Sequence, residues 1–223
     1  MAELETIAIE TGPSPVATVI VLHGLGADGN DFVPFTEELD LRDVGPIRYV
    51  FPHAPVIPVT INNGYRMRAW YDILGADLAR REDEPGLRQS LGRIEALLAR
   101  ERERGIASAR TVLAGFSQGC AMALLTGLRQ GERLAGIAGM SGYLPLAATT
   151  AAERTDANAL TPIFLAHGQH DPVVDVERGR ASRDLLRSLG YEVQWHEYPM
   201  EHSVCMAEIA ELNRWLLGVL ARA

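Results

Sequence analysis

The chain has 223 residues and a formal net charge of −8 at pH 7, and its length predicts one domain spanning residues 1–223. All 21 basic residues are arginine, which excludes chemistry that needs a lysine, such as a Schiff base or a Walker-type phosphate site. The acidic balance argues against a nucleic-acid partner, because binding phosphate normally needs a basic face.

The first residues, Met1-Ala-Glu-Leu-Glu5, lack the basic region and apolar run of a signal peptide. No stretch reaches the roughly 18 apolar residues of a membrane span. Cys120 and Cys205 are the two cysteines, and without an export signal we expect them to be reduced thiols. These features predict a cytoplasmic protein with no stable membrane insertion.

Short apolar runs alternate with helical patterns along the chain. Buried strands are predicted at residues 17–22, 47–51, 111–114, 135–140 and 163–166, with a strand nearer the sheet edge at 191–198. Helical spacing of leucine and isoleucine marks residues 87–98, and further helices are predicted over 120–128, from Val176 and from near His202. The residues of the last helix that should face the core are Met206, Ile209, Leu212, Leu216 and Leu220. The alternation predicts an α/β fold with a mostly parallel sheet covered by helices on both faces.

A strand running into Gly115-Phe-Ser117-Gln-Gly119 and then a helix forms the pattern of a nucleophile elbow. At such a turn the serine adopts strained backbone angles, and the glycines leave room for the neighbouring strand and helix. A helix N-cap between incidental glycines would be the simpler explanation of Ser117, but the strand–turn–helix context favours a serine nucleophile.

The first buried strand ends in His23-Gly-Leu-Gly-Ala-Asp-Gly29. In a serine hydrolase of this type the loop supplies one backbone N–H to the oxyanion, and the residue after the nucleophile supplies the second. We therefore predict Leu25 and Gln118 as the two donors. The glycine spacing also matches a dinucleotide fingerprint, but Asp28 and Asp31 would repel a pyrophosphate.

The remaining members of a triad should follow the serine in the order acid, histidine. Asp171 comes directly after the predicted strand 163–166, whereas its competitor Asp175 better fits the N-cap of the next helix. His202 follows the predicted strand 191–198 and is the expected base. His170 is too close to Asp171 in sequence to be oriented by it.

The run His167-Gly-Gln-His170-Asp171 could also suggest a metal site. It lacks the i, i+4 histidines of a helical zinc site, and no cysteine lies near it in sequence. We therefore predict no metal and no cofactor.

Together these segments resemble the carboxylesterase/phospholipase family of α/β-hydrolases, which includes bacterial carboxylesterase II and the acyl-protein thioesterases. The resemblance runs from about Val19 to the last helix and rests on segments 23–29, 51–55, 58–62, 70–73, 115–119, 141–145, 167–172 and 202–203. It implies a carboxylesterase acting on short- to medium-chain esters, with acyl-protein thioesterase or lysophospholipase activity as the alternative. It also implies the absence of a cofactor, a possible homodimer, and acyl-chain contacts from Leu74, Tyr143 and Val173.

Arg68 and Cys120 depart from the family pattern. Many members have Met-Pro-Ser-Trp where this chain has Met67-Arg-Ala-Trp70, and a second glycine in place of Cys120. Cys120 is expected to alter packing behind the elbow without changing the chemistry. Arg68 either places a cation near the acyl entrance or lies in solvent, and the second interpretation is favoured because long charged side chains usually stay in water.

Two connecting segments bear on substrate access. Residues 142–161 are too few for a large cap domain over the site. Residues 56–74 form a long apolar stretch that we interpret as a loop-like insert and a shallow acyl groove open to water, since long loops in compact domains are often functional.

Overall fold

The structure is a computed structural model that describes residues 3–75 and 82–221. Within these ranges the strands are β1 Thr6–Glu10, β2 Ala17–Leu22, β3 Ile47–Pro52, β4 Val56–Val59, β5 Tyr65–Arg68, β6 Thr111–Phe116, β7 Gly136–Met140, β8 Ile163–Gly168 and β9 Val193–Tyr198. The helices are α1 Phe35–Glu38, α2 Glu84–Glu103, α3 Gln118–Arg129, α4 Ala147–Glu153, α5 Val176–Ser188 and α6 Met206–Ala221.

The main sheet has the strand order β1-β3-β2-β6-β7-β8-β9. Only β1 runs antiparallel to its neighbour among the described strands of this sheet. Strand β6 lies at the centre, and its register pairs Gly115 with Leu22 of β2. The carboxyl ends of the parallel strands therefore meet at one edge, where active sites of such sheets gather.

Helices cover both faces of this sheet. Ile20 and Leu22 of β2 pack with apolar residues of α2, α3 and α5, whereas Val19 and Val21 pack on the opposite face with α1 and α6. Because successive strand side chains point to opposite faces, one fully buried strand supplies both cores. This confirms the predicted α/β-hydrolase architecture.

The segment between β7 and β8 contains α4 and a short 3₁₀ turn at Asp156–Asn158. It is too small for a cap domain, as its length predicts. None of the helices in the described part of the chain is long and apolar enough to cross a membrane.

Two elements differ from the sequence interpretation. Strand β1 was not predicted; it lies at the antiparallel edge of the sheet and is only partly buried. Residues 56–74 are not a loop-like insert, because β4 and β5 form an antiparallel hairpin of their own. The turn contains Asn63-Gly64 with φ of 55° and 75°, and Asn-Gly is a strong hairpin signal.

The last helix also begins later than predicted. It starts at Met206 rather than near His202, and Met206 is 69% exposed rather than turned inward. The other four residues predicted to face the core are buried, namely Ile209, Leu212, Leu216 and Leu220. His202 consequently lies in an irregular segment between β9 and α6.

The close contact between α3 and β2 generates a stability prediction. A Cβ added at Gly119 would lie 2.0 Å from the carbonyl oxygen of Leu22, a backbone clash that only a shift of the helix or strand can relieve. We expect Gly119→Ala to lower the melting temperature strongly or to prevent folding. The control is Gly218→Ala in α6, where an added Cβ meets nothing within 4 Å.

Because alanine favours a helix over glycine by about 1 kcal/mol, Gly218→Ala should be neutral or stabilising. Thermal unfolding of both variants, followed by circular dichroism, checks this. Equal stability of the two variants would contradict the close-packing explanation for Gly119.

Candidate active site

Ser117 stands at a sharp turn between β6 and α3. Its backbone angles are φ 56° and ψ −117°, in a region that non-glycine residues rarely adopt. Its N–H donates to the carbonyl of Met140 at 2.9 Å. A Cβ at Gly115 would lie 2.2 Å from the carbonyl oxygen of Gly119, so both glycines are required by close backbone contacts.

The structure brings Ser117, His202 and Asp171 together although they are far apart in sequence. His202 Nε2 lies 2.9 Å from Ser117 Oγ, and His202 Nδ1 lies 2.7 Å from Asp171 Oδ2. A carboxylate only accepts, so Nδ1–H donates to it and Nε2 is left to accept the serine hydroxyl proton. The three residues thus form a continuous hydrogen-bonded chain.

Asp171 is held by its own turn after β8. Its Oδ1 accepts the backbone N–H groups of Val173 and Val174, both at 2.8 Å, and its side chain is fully buried. His167 Nε2 lies 2.8 Å from the carbonyl of Val174 and is thereby occupied. Asp175 accepts the N–H of Glu177 at 3.0 Å and caps α5, which confirms its predicted capping position.

The loop after β2 lies directly beside Ser117. An added Cβ at Gly24 would be 3.3 Å from Ser117 Cβ. The N–H of Gly26 donates to the carbonyl of Arg68 at 2.8 Å, which ties the loop to the β4–β5 hairpin. Among residues 3–75 and 82–221, no acceptor is bonded to the backbone N–H of Leu25 or of Gln118.

Sequence reasoning did not assign Trp70 and Tyr71 to the support of this site. The Gln118 side chain accepts the Trp70 N–H at 3.0 Å and donates to the Tyr71 carbonyl at 2.9 Å. Trp70 Nε1–H donates to the His23 carbonyl at 2.9 Å. Both aromatic side chains are buried, so they brace the elbow and the loop and do not form the open groove predicted for this segment.

A cavity of about 980 Å³ opens beside Ser117 and His202. Its wall comes mainly from two chain segments, one after the Gly24 loop and one after His202, and it contains the acidic residues Asp31 and Glu38 beside apolar ones. The lining side chains include Phe32, Phe35, Phe116, Val204 and Ile209.

The three predicted acyl contacts are placed differently from one another. Val173 is exposed and lines the cavity beside Ser117, whereas Leu74 and Tyr143 are not among the described residues that line it. Tyr143 instead borders a second cavity of about 460 Å³, with its ring 3.6 Å from the Arg178 guanidinium. Its hydroxyl lies 3.1 Å from that of Tyr71.

Arg68 and Cys120 both have local structural explanations. Arg68 Nη1 donates to the carbonyl of Ala54 at 3.0 Å, and about a third of its side chain is exposed. Cys120 and Cys205 are free thiols. Burial raises the pKa of the Cys120 thiol to about 12, and an added Cβ at Gly139 would lie 2.6 Å from its Sγ. Glycine on β7 therefore leaves the space that Cys120 fills.

Glu208, in the first turn of α6, is a buried acid that sequence reasoning missed. Neither carboxylate oxygen has a hydrogen-bond partner among the described residues. Burial raises the pKa of this carboxyl to about 8, against a smaller opposing effect of the backbone N–H of Cys205. The carboxyl is therefore largely protonated at neutral pH.

No group of three or more potential ligand side chains for a metal ion occurs in the described part of the chain. The Gly24–Gly29 loop leads into a four-residue 3₁₀ turn that Asp28 caps, and not into the long helix of a dinucleotide site.

The fold and this arrangement of serine, histidine and aspartate define a serine hydrolase of the α/β-hydrolase fold. Residues 4–219 match the family model described as Phospholipase/Carboxylesterase. The chain belongs to this family.

Similar proteins are found among both sequences and solved structures. The chain is 43% identical over 209 residues to acyl-protein thioesterase 1 of Gibberella zeae, covering 90% of this chain and 89% of the relative. It is 38% identical over 221 residues to acyl-protein thioesterase 1 of Yarrowia lipolytica, covering 97% of each. The crystal structure of Zea mays acyl-protein thioesterase 2 superposes with a TM-score of 0.86 at 28% identity, covering 97% of this chain and 99% of that one. Esterase PE8 gives a TM-score of 0.83 at 28% identity, covering 98% and 100%.

Glu208 gives a pH-dependent stability prediction. Its pKa is about 8 in the folded protein against 4.5 for the ordinary carboxyl, so unfolding releases a proton between these values. The resulting cost to folding is absent below pH 4.5, grows through this window and is complete above pH 8. Glu208→Gln removes this cost. The unfolding free energy of the variant relative to that of wild type should therefore rise by about 3 to 5 kcal/mol between pH 4.5 and pH 9.

Urea unfolding of both proteins at several pH values measures this difference. The matched control is Glu103→Gln on the exposed end of α2, whose difference from wild type should stay constant across the same range. A Glu208→Gln difference that is independent of pH would contradict the raised pKa.

Proposed function

We propose that this protein hydrolyses acyl-thioesters carried by S-acylated proteins, through an acyl-enzyme on Ser117. The observation that carries the proposal is the hydrogen-bonded chain from Ser117 Oγ through His202 to Asp171, at 2.9 and 2.7 Å. The thioester substrate is supported by the relatives named acyl-protein thioesterase 1, which match this chain over nine-tenths of its length or more.

In the first half of the reaction His202 Nε2 takes the Ser117 proton as Oγ attacks the acyl carbon. The tetrahedral intermediate collapses, the carbon–sulfur bond breaks, and the cysteine thiol leaves with the proton from His202. In the second half a water gives its proton to His202 and attacks the acyl-enzyme. The second tetrahedral intermediate collapses as the bond between Ser117 Oγ and the acyl carbon breaks, and His202 returns the proton to Oγ. The fatty acid and free Ser117 are the products.

Leu25 and Gln118 are proposed to donate their backbone N–H groups to the oxyanion. Both N–H groups lack an acceptor in the described part of the chain, and Gly24 packs against Ser117. Removing one such donor typically costs 100- to 1000-fold in rate. The positive end of α3, which begins at Gln118, favours the same negative charge.

Asp171 is proposed to hold His202 in the tautomer with its proton on Nδ1 and to stabilise the imidazolium. Two backbone N–H bonds to Oδ1 support this role, because they leave Oδ2 to face the imidazole of His202 at 2.7 Å, closer than His167 Nε2 at 3.4 Å. Asp175 is occupied as a helix cap.

The sequence expectation placed simple carboxylic esters first and thioesters second, and the named relatives favour the reverse order. Ester hydrolysis remains a second candidate activity, supported by the similarity to esterase PE8. The triad attacks either carbonyl. A thiolate, with an ordinary pKa near 8.5, is a better leaving group than an alkoxide, so the thioester depends less on protonation by His202.

Several expectations stay predictions. These are the cytoplasmic location, the lack of a cofactor or nucleic-acid partner, the homodimer, and the acyl contacts of Leu74 and Tyr143. For Val173, its place on the cavity wall supports the predicted contact.

The acid assignment predicts a contrast between two asparagine variants. Asp171→Asn offers an NH₂ group to the imidazole and favours the wrong tautomer, so kcat should fall by about 10⁴ with folding intact. Asp175→Asn should change stability by well under about 1 kcal/mol and leave kcat nearly unchanged, because asparagine caps helices almost as well as aspartate. Rates and melting temperatures on one ester measure both, and the reverse pattern would overturn the assignment.

The substrate proposal predicts a preference within a matched pair of peptides. One peptide carries an S-octanoyl cysteine and the other an O-octanoyl serine at the same position. We expect kcat/KM for the thioester to exceed that for the oxyester by about tenfold or more, since the acyl chain and peptide are identical and only the leaving group differs. Ser117→Ala measures uncatalysed hydrolysis.

p-Nitrophenyl octanoate shows that the preparation is active. Turnover of this reporter without turnover of the S-acyl peptide would overturn the thioester proposal while leaving the triad intact. Loss of both activities in wild type, or full activity in Ser117→Ala, would overturn the triad itself.

A further inference from the structure

His23, the residue that follows β2, makes two backbone hydrogen bonds from a fully buried ring. Its Nε2 lies 3.0 Å from the backbone nitrogen of Ala54, and its Nδ1 lies 2.7 Å from the carbonyl oxygen of Gly24. The Ala54 N–H can only donate, so Nε2 must be the unprotonated nitrogen. The Gly24 carbonyl can only accept, so Nδ1 carries the proton.

These partners define one neutral tautomer. If Nε2 also carried a proton, its N–H would face the N–H of Ala54, and two donors would lie opposite each other with no acceptor. Burial also lowers the pKa of the His23 imidazole, which agrees with the geometry. His23 therefore connects the turn that follows β3 to the loop that begins at Gly24. We call its two hydrogen bonds, to Ala54 and to Gly24, the clamp.

The clamp acts on the peptide unit that contains the proposed oxyanion donor. The Gly24 carbonyl and the Leu25 N–H belong to the same planar trans peptide and point in opposite directions. Holding the carbonyl oxygen on His23 therefore fixes the direction of the Leu25 N–H. The turn N–H of Ala27 also approaches this oxygen, but at 3.4 Å, so His23 makes the shorter bond.

We propose that His23 is a positioning residue that aims the Leu25 N–H at the oxyanion formed on Ser117. The inference rests on the proposed function, since it takes Leu25 as an oxyanion donor. The bond to the carbonyl has a second effect. A hydrogen bond accepted by an amide oxygen polarises the amide, which strengthens its N–H as a donor.

Two substitutions separate the two bonds of the ring. In His23→Asn the short amide places an N–H near the position of Nδ1 and can still donate to Gly24. In His23→Gln the longer amide places an oxygen near the position of Nε2 and can still accept from Ala54, but the bond to Gly24 is lost. Both variants keep one polar contact in the same buried site.

We expect His23→Gln to lower kcat by about 10- to 100-fold, less than complete removal of an oxyanion donor. KM should stay within about twofold, and His23→Asn should retain kcat within about fivefold. If the role of His23 were purely structural, both variants would have a lower melting temperature, but their kcat values would not differ in this way. Equal kcat in the two variants, whether high or low, would overturn the inference.

His53→Ala is the matched control. His53 Nδ1 accepts the N–H of Gly29 at 3.1 Å, so it anchors the same loop without touching the Gly24–Leu25 peptide. Its kcat should stay within about threefold of wild type, whatever its effect on melting temperature. A loss as large as that of His23→Gln would overturn the specific role of His23.

Octylboronic acid forms a tetrahedral adduct on a reactive serine. Its binding tests the role of His23 separately from the proposed function on which that role rests. In wild type the amide signal of Leu25 should move downfield in the ¹H–¹⁵N spectrum when the adduct forms. If the adduct forms and the Leu25 signal does not move, the oxyanion assignment fails together with the inference. If the Leu25 signal moves but His23→Gln binds the boronic acid as tightly as wild type, only the role of His23 fails.

A measurement on wild type remains decisive if the His23 variants do not fold. Long-range ¹H–¹⁵N spectra of the histidine rings distinguish the two neutral tautomers. We expect His23 to keep its proton on Nδ1 from pH 6 to pH 8, with and without the boronic acid. A proton on Nε2 would overturn the clamp.

Discussion

The backbone of Gly119 packs against the carbonyl group of Leu22 so closely that an added Cβ would lie 2.0 Å from the oxygen. This contact joins the start of α3 to the end of β2, and the positions of Ser117 and of the loop after β2 depend on it. Because β2 continues into His23 and Gly24, the same contact brings the loop beside Ser117. Ser117 and the loop thus belong to one packed unit.

Asp171 and His202, the other two residues of the hydrogen-bonded chain, are held by turns and not by helices or strands. Asp171 is fixed by the N–H groups of Val173 and Val174, and His202 lies in an irregular segment before α6. The imidazole has the Phe116 ring at 4.7 Å on one side and Asp171 and Ser117 at its two nitrogens. Three contacts therefore compensate for the absence of a helix or strand around His202.

Local motifs made much of this arrangement predictable from sequence. The elbow, the glycine-rich loop and Asp171 each follow an apolar strand, and parallel strands bring their carboxyl ends to one edge. Features that depend on tertiary contacts were missed. Strand β1 is a partly buried edge strand with a weak pattern, Trp70 is explained only by its bonds to His23 and Gln118, and the buried position of Glu208 has no local signature. The hairpin could have been found from Asn63-Gly64.

The walls of the large cavity are continuous in sequence with the loops that surround Ser117. Phe32 and Phe35 follow the Gly24 loop within about a dozen residues, and Val204 and Ile209 follow His202. A substrate that packs against these side chains therefore contacts the same backbone segments that carry the Leu25 N–H and the His202 imidazole. Since interactions that improve only in the transition state raise kcat, this coupling should set the preference of the protein among acyl chains, whereas the preference between thioester and ester comes from the leaving group.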